Sequence, residues 1–357
     1  MKVYIKFITK IYLKSFVYVT LVLFSLMLIL NILSEIEFFT NIKVKSFFPI
    51  YLAFLNSPSL VFEMLPFIFL LSTQVFFVYL FNNDEIQIFK YSGLKNSQIL
   101  KILSLITFIL SILLIMIFYN FSSNLKSYYL DLKTKFTLDG KYLAVVTNNG
   151  LWIRDVINNK VNIINASKID KNFLIDSIIT EFDEDFNVIK NIRSDKIDIE
   201  NKEWLIYKPK IFNEKTYKTL DSLKFKSNFD YQKIQNLYSN LSSLSIMELF
   251  ELRENYKLLN YSTTETDMQI HKILSYPLYL TLMTILSSII MFSTKNFKNT
   301  TVKLAIGLFL SVIIYYINNF FNVMGSTEKI SLIMSVWSPL LAFSLINLFM
   351  IRNINAK

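Results

Sequence analysis

The chain has 357 residues, 53% of them hydrophobic and only 18% charged, with a net charge of +10 and a mean hydropathy of +0.41. Soluble domains carry about 25% charged residues, so this balance points to lipid as a main solvent. Cysteine is absent, which excludes disulfides, thiolate metal sites and cysteine nucleophiles, and the single His271 excludes a histidine-cluster metal site.

Six apolar runs approach the roughly 20 residues that cross a bilayer: Phe16–Leu33, Leu60–Phe81, Ile102–Tyr119, Ile273–Phe292, Leu304–Phe321 and Leu332–Ile351. The first is too long for a signal-peptide core and has no small-residue cleavage site, so it is expected to stay as the first span. Beyond it, "NILSEIEFFTNIKVK" places Ser34, Glu35 and Glu37 ahead of the cations Lys43 and Lys45. Pro58 and Pro66 lie on either side of Glu63 at the start of the second run. A carboxylate there costs a few kcal/mol unless it meets water or a partner, so Glu63 either lines a polar cavity or snorkels to the interface.

Between the second and third runs stands "FNNDEIQIFKYSGLKNSQILKI", Phe81 to Ile102. It reads as a short helix from Asp84, with Asp84 and Glu85 in the first turn where the helix dipole favours acids. Ile86, Phe89 and Tyr91 are placed toward one side, and Ser92-Gly93 is a natural left-handed stop. Ser97 is expected to cap the next helix. Such a segment either presents side chains to a soluble partner or rests on lipid as an amphipathic helix.

Residues 121–268 form a long insertion between the third and fourth runs. "KYLAVVTNNGLWIRDV" and "NKVNIINASKID" are short β-rich runs with Asn-Asn-Gly and Asn-Asn turns, and "SDKIDIENKEWLIYKPKIF" alternates with period two. An all-β, jelly-roll-like domain is expected. Asp183, Glu184 and Asp185 in "EFDEDF" match no calcium loop and read as an acidic turn. From Leu244 the spacing turns helical and leads into the fourth run. His271 there reads as an interfacial polar residue, and Asn318 and Asn319 in the fifth run as hydrogen-bonding groups between helices. The fold class is therefore an α-helical membrane protein of six spans with an inserted β-domain: residues 1–120 and 269–357 in the membrane and 121–268 between them.

The cations set an orientation. Lys2, Lys6, Lys10 and Lys14 precede the first run; Lys90, Lys95 and Lys101 lie between the second and third. Lys295, Lys298 and Lys303 lie between the fourth and fifth, and Arg352 and Lys357 follow the sixth. The opposite connections offer only Lys43, Lys45 and Lys329 beside Glu35, Glu37 and Glu328. The positive-inside rule then puts both termini and residues 84–93 in the cytoplasm and the β-domain outside. Lysines beside apolar runs serve topology, so no nucleic-acid partner is expected. The glycines, Gly93, Gly140, Gly150, Gly307 and Gly325, form no phosphate-binding loop, so no catalytic residue, metal or cofactor is assigned to this chain.

Several motifs then fall into a known order. Glu85 is followed seven and eight residues later by Ser92 and Gly93; Pro58 and Pro66 stand eight apart; Gly150-Leu151-Trp152, Trp204 and Trp337-Ser338-Pro339 follow. Together with the 3+3 layout, this resembles the LptF/LptG permease family over nearly the whole chain, and the Gly-Leu-Trp turn leans toward its LptG branch. The resemblance implies a non-catalytic subunit of an ATP-driven transporter in the bacterial inner membrane. It would extract lipopolysaccharide with an LptF-like sibling permease, an LptB-like ATPase dimer that uses ATP and Mg, LptC and an LptA-like periplasmic bridge. It further implies that Asp84, Glu85, Ile88, Phe89, Ser92 and Gly93 dock the ATPase. Phe24, Glu63, Tyr315, Asn318 and Phe321 would face the lipid cavity. Family members often carry basic residues at the outer end of the first span; this chain does not. That leaves either a less anionic head group or cations from the sibling subunit. Two other readings stay open: an anchored scaffold or sensor, and a permease for another lipid or lipoprotein.

Overall fold

A computed structural model describes residues 3–42, 44–134, 136, 151–157, 160–170, 172–183, 187–213, 216–231, 234, 240–258, 262–294, 299–352 and 354. Lys2, Lys43, Gly140, Gly150, Glu184, Asp185, Lys295, Lys298 and Lys357 lie outside the described residues. The chain divides into two compact units, one of Met1–Tyr129 with Thr264–Lys357 and one of Leu130–Thr263.

In the first unit, α1 (Val3–Phe38), α2 (Phe48–Glu63), α3 (Leu65–Asn82) and α4 (Glu85–Tyr91) precede α5 (Asn96–Leu113). The last continues through a π-helical turn, Leu114–Tyr119, into α6 (Asn120–Thr134). After the insertion come α8 (Thr264–Ser293), α9 (Thr300–Ser326) and α10 (Leu332–Ile351); α7 belongs to the insertion and is given below. Six helices among the described residues are long and apolar enough to cross a membrane, and they coincide with the six apolar runs.

One run is divided. Hydropathy takes Leu60–Phe81 as a single helix, whereas α2 ends at Glu63 and α3 begins at Leu65. The cause is Pro66, whose ring cannot pack against the carbonyl four residues back, that of Phe62, and which has no N–H to give it. The freed Phe62 carbonyl instead accepts the Tyr276 hydroxyl of α8 at 2.8 Å. Both sides of the break are apolar, so composition does not reveal it.

Helices α3 and α8 are central, with most of their spanning windows buried, and α1, α5, α9 and α10 pack around them. Close approach at the centre relies on small polar side chains: Thr284, Ser287 and Ser288 are fully buried, and Ser287 donates to the Leu70 carbonyl at 2.8 Å. Without a hydrophobic drive between helices in lipid, such contacts and tight packing hold the bundle. A Cβ at Gly325 would overlap the Ser335 side chain, so glycine is what brings α9 and α10 together there.

In the second unit, β1 (Leu151–Ile157), β2 (Lys160–Asp170), β3 (Phe173–Phe182), β4 (Val188–Asp198), β5 (Glu203–Tyr207), β6 (Lys210–Asn213), β7 (Thr216–Thr219) and β8 (Ser222–Lys226) form one antiparallel sheet, followed by α7 (Ile246–Leu258). The strand order is β1-β2-β3-β4-β5-β8, with β6 between β4 and β7. Strands β5 and β6 are one line broken at Lys208-Pro209, where Lys208 takes a φ of 43°. The backbone bonds Lys208 N–H to Asp221 O (3.0 Å) and Leu220 N–H to Pro209 O (3.2 Å) carry the pairing across the break.

Ile153, Ile164, Ile179 and Ile192 stand opposite one another in register and are buried, as are Leu174, Ile197 and Ile206 on neighbouring strands. The sheet buries this face by curling. Asp155 on β1 accepts Ser227 Oγ (2.7 Å), Asn228 N–H (3.1 Å) and Asn228 Nδ2 (2.8 Å), just beyond β8. In a flat sheet six strands wide those two ends would lie about 24 Å apart. Trp204, fully buried, donates its Nε1–H to the Phe229 carbonyl at 2.8 Å in the same closing segment. The expected inserted β-domain is thus an antiparallel sheet whose first strand is tied by Asp155 to the segment after its last, and its wiring among the described strands is a meander.

Candidate functional site

Two features of the membrane unit carry the functional argument: the short helix α4 and the sparsely covered faces of α1 and α9. At seven residues, α4 is far below the ~12–15 at which a helix is even marginally stable in isolation. Its pose comes from three inward side chains. Ile86, Phe89 and Leu94 are buried in one cluster with Ile8, Phe77, Leu80, Ile99, Leu103 and Phe292, and Phe89 meets the Phe7 ring edge-on at 6.0 Å. Gly93, at φ 79°, ends the helix. Its N–H bonds the Lys90 carbonyl (3.0 Å) while Leu94 N–H bonds that of Phe89 (2.9 Å), a Schellman closure that also seats Leu94 beside Phe89.

The opposite face is open. Asp84, Gln87, Ile88, Tyr91, Ser92 and Gly93 are exposed, and Glu85 is half-buried. Of the expected docking residues, five therefore share the open side or its edge, while Phe89 is an anchor inside the bundle. Tyr91, expected beside Ile86 and Phe89, is 88% exposed and points the other way. Asp84 precedes the helix in a left-handed conformation at φ 54°, which a short polar side chain tolerates, and its Oδ1 accepts Gln87 Nε2 at 3.2 Å. The next helix is capped at Lys95, whose N–H bonds Gln98 Oε1 at 2.9 Å, and Ser97 lies inside it.

At the opposite ends of the spans, Glu63 pairs with Lys126 of α6 at 3.7 Å, with 58% of the Glu63 side chain still exposed. Around it, Phe62 stacks on Tyr276 (ring centroids 5.1 Å) and meets Tyr119 (5.0 Å), which the π-turn carries inward. Glu35 is almost fully buried and accepts the Tyr129 hydroxyl at 2.7 Å, so this acid joins α1 to α6. Near it, Asn31 Nδ2 donates to the Ala53 carbonyl at 2.9 Å, tying α1 to α2. His271 accepts Trp337 Nε1–H at 3.4 Å, which links α8 and α10 as an interfacial polar residue does.

Of the five residues expected to face a cavity, Tyr315 and Asn318 share the neighbour Tyr279, whose ring lies 6.3 Å from that of Tyr276. Phe24 is half-buried against Phe16, Val61 and Leu65. Across α3, Tyr315 lies 5.8 Å from the Phe67 ring and remains 45% exposed. Asn318 stands beside Tyr279 of α8, and Phe321 is half-buried against Phe320. Helices α1 and α9 both pack on α3, and only 17% of each spanning window is buried. Sequence reasoning missed Lys126, Tyr276 and the Asn31 contact. Pro66 signals only that some donor must meet the Phe62 carbonyl; the structure supplies Tyr276.

The family model of the lipopolysaccharide export system permease LptF/LptG matches residues 6–353. The chain belongs to this family. No curated protein matches it. As an LptF/LptG family member it is a permease of lipopolysaccharide export, a multi-pass protein of the inner membrane. The match runs through both helical blocks and the inserted sheet, so it covers nearly the full chain.

Proposed function

We propose that the chain is an LptG-type subunit of an ATP-driven transporter, working beside an LptF-like sibling over an LptB-like ATPase dimer. The observation that carries this reading is the division of α4 into two faces. Ile86, Phe89 and Leu94 fix it to α1, α3, α5 and α8, while Asp84, Glu85, Gln87, Ile88, Tyr91 and Ser92 stand outward or at its edge. A rigid element gripped on one face and fixed on the other passes motion to all the helices it touches. ATP and Mg belong to the ATPase, and this chain supplies no catalytic group.

In this reading α4 and both termini face the cytoplasm and the curled sheet stands in the periplasm, where it continues toward LptC and an LptA-like bridge. The bare faces of α1 and α9, with Phe24, Glu63, Tyr315, Asn318 and Phe321 near them, belong to the wall of the lipid chamber. Withdrawing a multi-acyl lipid exposes many methylenes at about 0.8 kcal/mol each, which makes coupled hydrolysis a fitting energy source.

Co-purification tests this directly. Glu85→Lys places a like charge where a carboxylate contacts the ATPase, and the expected result is loss of the ATPase from the membrane complex while the sibling permease is retained. Unchanged recovery of the ATPase would favour an anchored scaffold whose α4 rests on lipid.

A further inference from the structure

The last span returns to the coupling segment. Just after α10, Ile354 turns in through its N–H bond to the Ile351 carbonyl (2.9 Å) and is 2% exposed. It lies in the same cluster as Ile86, Phe89 and Leu94, with Ile351 packed at the edge. Its own carbonyl accepts Asn96 Nδ2 at 3.1 Å. Asn96 is itself buried, at the first residue of α5 and two positions beyond Leu94. The coupling segment is therefore held by the front of the chain, through Phe7 and Ile8, and by its end, through Ile354.

We propose that Ile354 and Asn96 form a strut that sets the pose of α4 and ties it to α10, making both of them positioning residues for coupling. The inference deepens the function proposed above and rests on it. Three physical points carry it. A seven-residue helix has no pose of its own, so its contacts decide where it stands. A buried amide-to-carbonyl bond is directional, and breaking it strands a carbonyl away from water. Finally, α10 packs on α8 and α9, so a shift of the α9–α10 pair is delivered through Ile354 to the residues that close α4. In this arrangement the lipid-facing helices report their state to the ATPase through the end of α10 and the first residue of α5, beside the direct path along α3.

The test uses the full complex, with hydrogen exchange of the residue 86–94 amides and lipid-stimulated ATP hydrolysis read side by side. In Asn96→Ala and Ile354→Asp, exchange across this segment is expected to rise by about tenfold while the rest of α5 and α8 stays protected. The ATPase should remain bound, and its stimulation by lipid should fall. Ile354→Val, which keeps the buried branch, should restore both. Unchanged exchange in residues 86–94, or faster exchange spread evenly over α5 and α8, would overturn the strut. Faster local exchange with lipid stimulation intact would show instead that the pose of α4 does not govern the ATPase, which is failure of the coupling reading.

Discussion

Proline 66 shows how one residue decides several contacts. By denying the Phe62 carbonyl its helical partner it ends α2 at Glu63, and Tyr276 then ties that carbonyl to α8. Hydropathy hides the break although Pro66 stands within the run, and the identity of the donor leaves no local trace, because residues 62 and 276 are far apart in the chain. Glu35 is similar: its position near the end of the first span was plain, its burial against Tyr129 was not. Glu181 in the sheet makes the same point with a measurable consequence. Burial would raise its pKa, but Lys160 and Lys190, each 2.8 Å from one of its oxygens, outweigh that and hold it below the ordinary value. A carboxyl with a lowered folded pKa adds stability above its unfolded pKa, near 4.5, and loses it as the pH falls through the folded value. Glu181→Gln should therefore lower the stability of the sheet by about 1 kcal/mol at neutral pH, the lysines being partly solvated. The difference from the natural chain should begin to shrink below pH 4.5 and close as the pH falls through the lowered folded value; a gap that does not shrink below pH 4.5 in chemical denaturation would contradict the account.

Among the elements, α4 was the most legible. Its acids at the start, its Ser-Gly stop and its apolar residues at helical spacing gave its place, its end and the shared side of Ile86 and Phe89, but not that this side is buried in the bundle, which makes Phe89 an anchor and not a docking residue. Tyr91 was misplaced because an aromatic was assigned to the apolar face, whereas five residues beyond Ile86 is about 140° around the helix. The two rings now separate anchoring from docking. Phe89→Ala removes a buried ring and should cost the membrane unit roughly 3–5 kcal/mol, read as a lower Tm in detergent. Tyr91→Ala should leave Tm within a degree or two and weaken ATPase retention instead. Equal loss of Tm in the two variants would refute the two-faced helix. In the sheet, strand positions followed from alternation and turn residues. The closure through Asp155 and Asn228 did not, since a contact between the two ends of a meander leaves no periodic trace.

For the whole molecule, six spans around one β-insertion followed from hydropathy and charge, and the family match extends over the same frame. Orientation rests on the lysines and has a clean test, because the chain has no cysteine of its own. A cysteine at Lys95 should be silent to an impermeant maleimide in intact cells and react after lysis, while one at exposed Lys224 should react in both. Labelling at Lys95 in intact cells would invert the topology. The scant cover on α1 and α9 has a last consequence. Acyl chains dissolve leucine as readily as another leucine does, so these bare flanks feel almost no pull toward being hidden. In the proposed transporter, a seam built from them against the sibling subunit parts sideways and reseals for little free energy, which is what a doorway for a lipid requires.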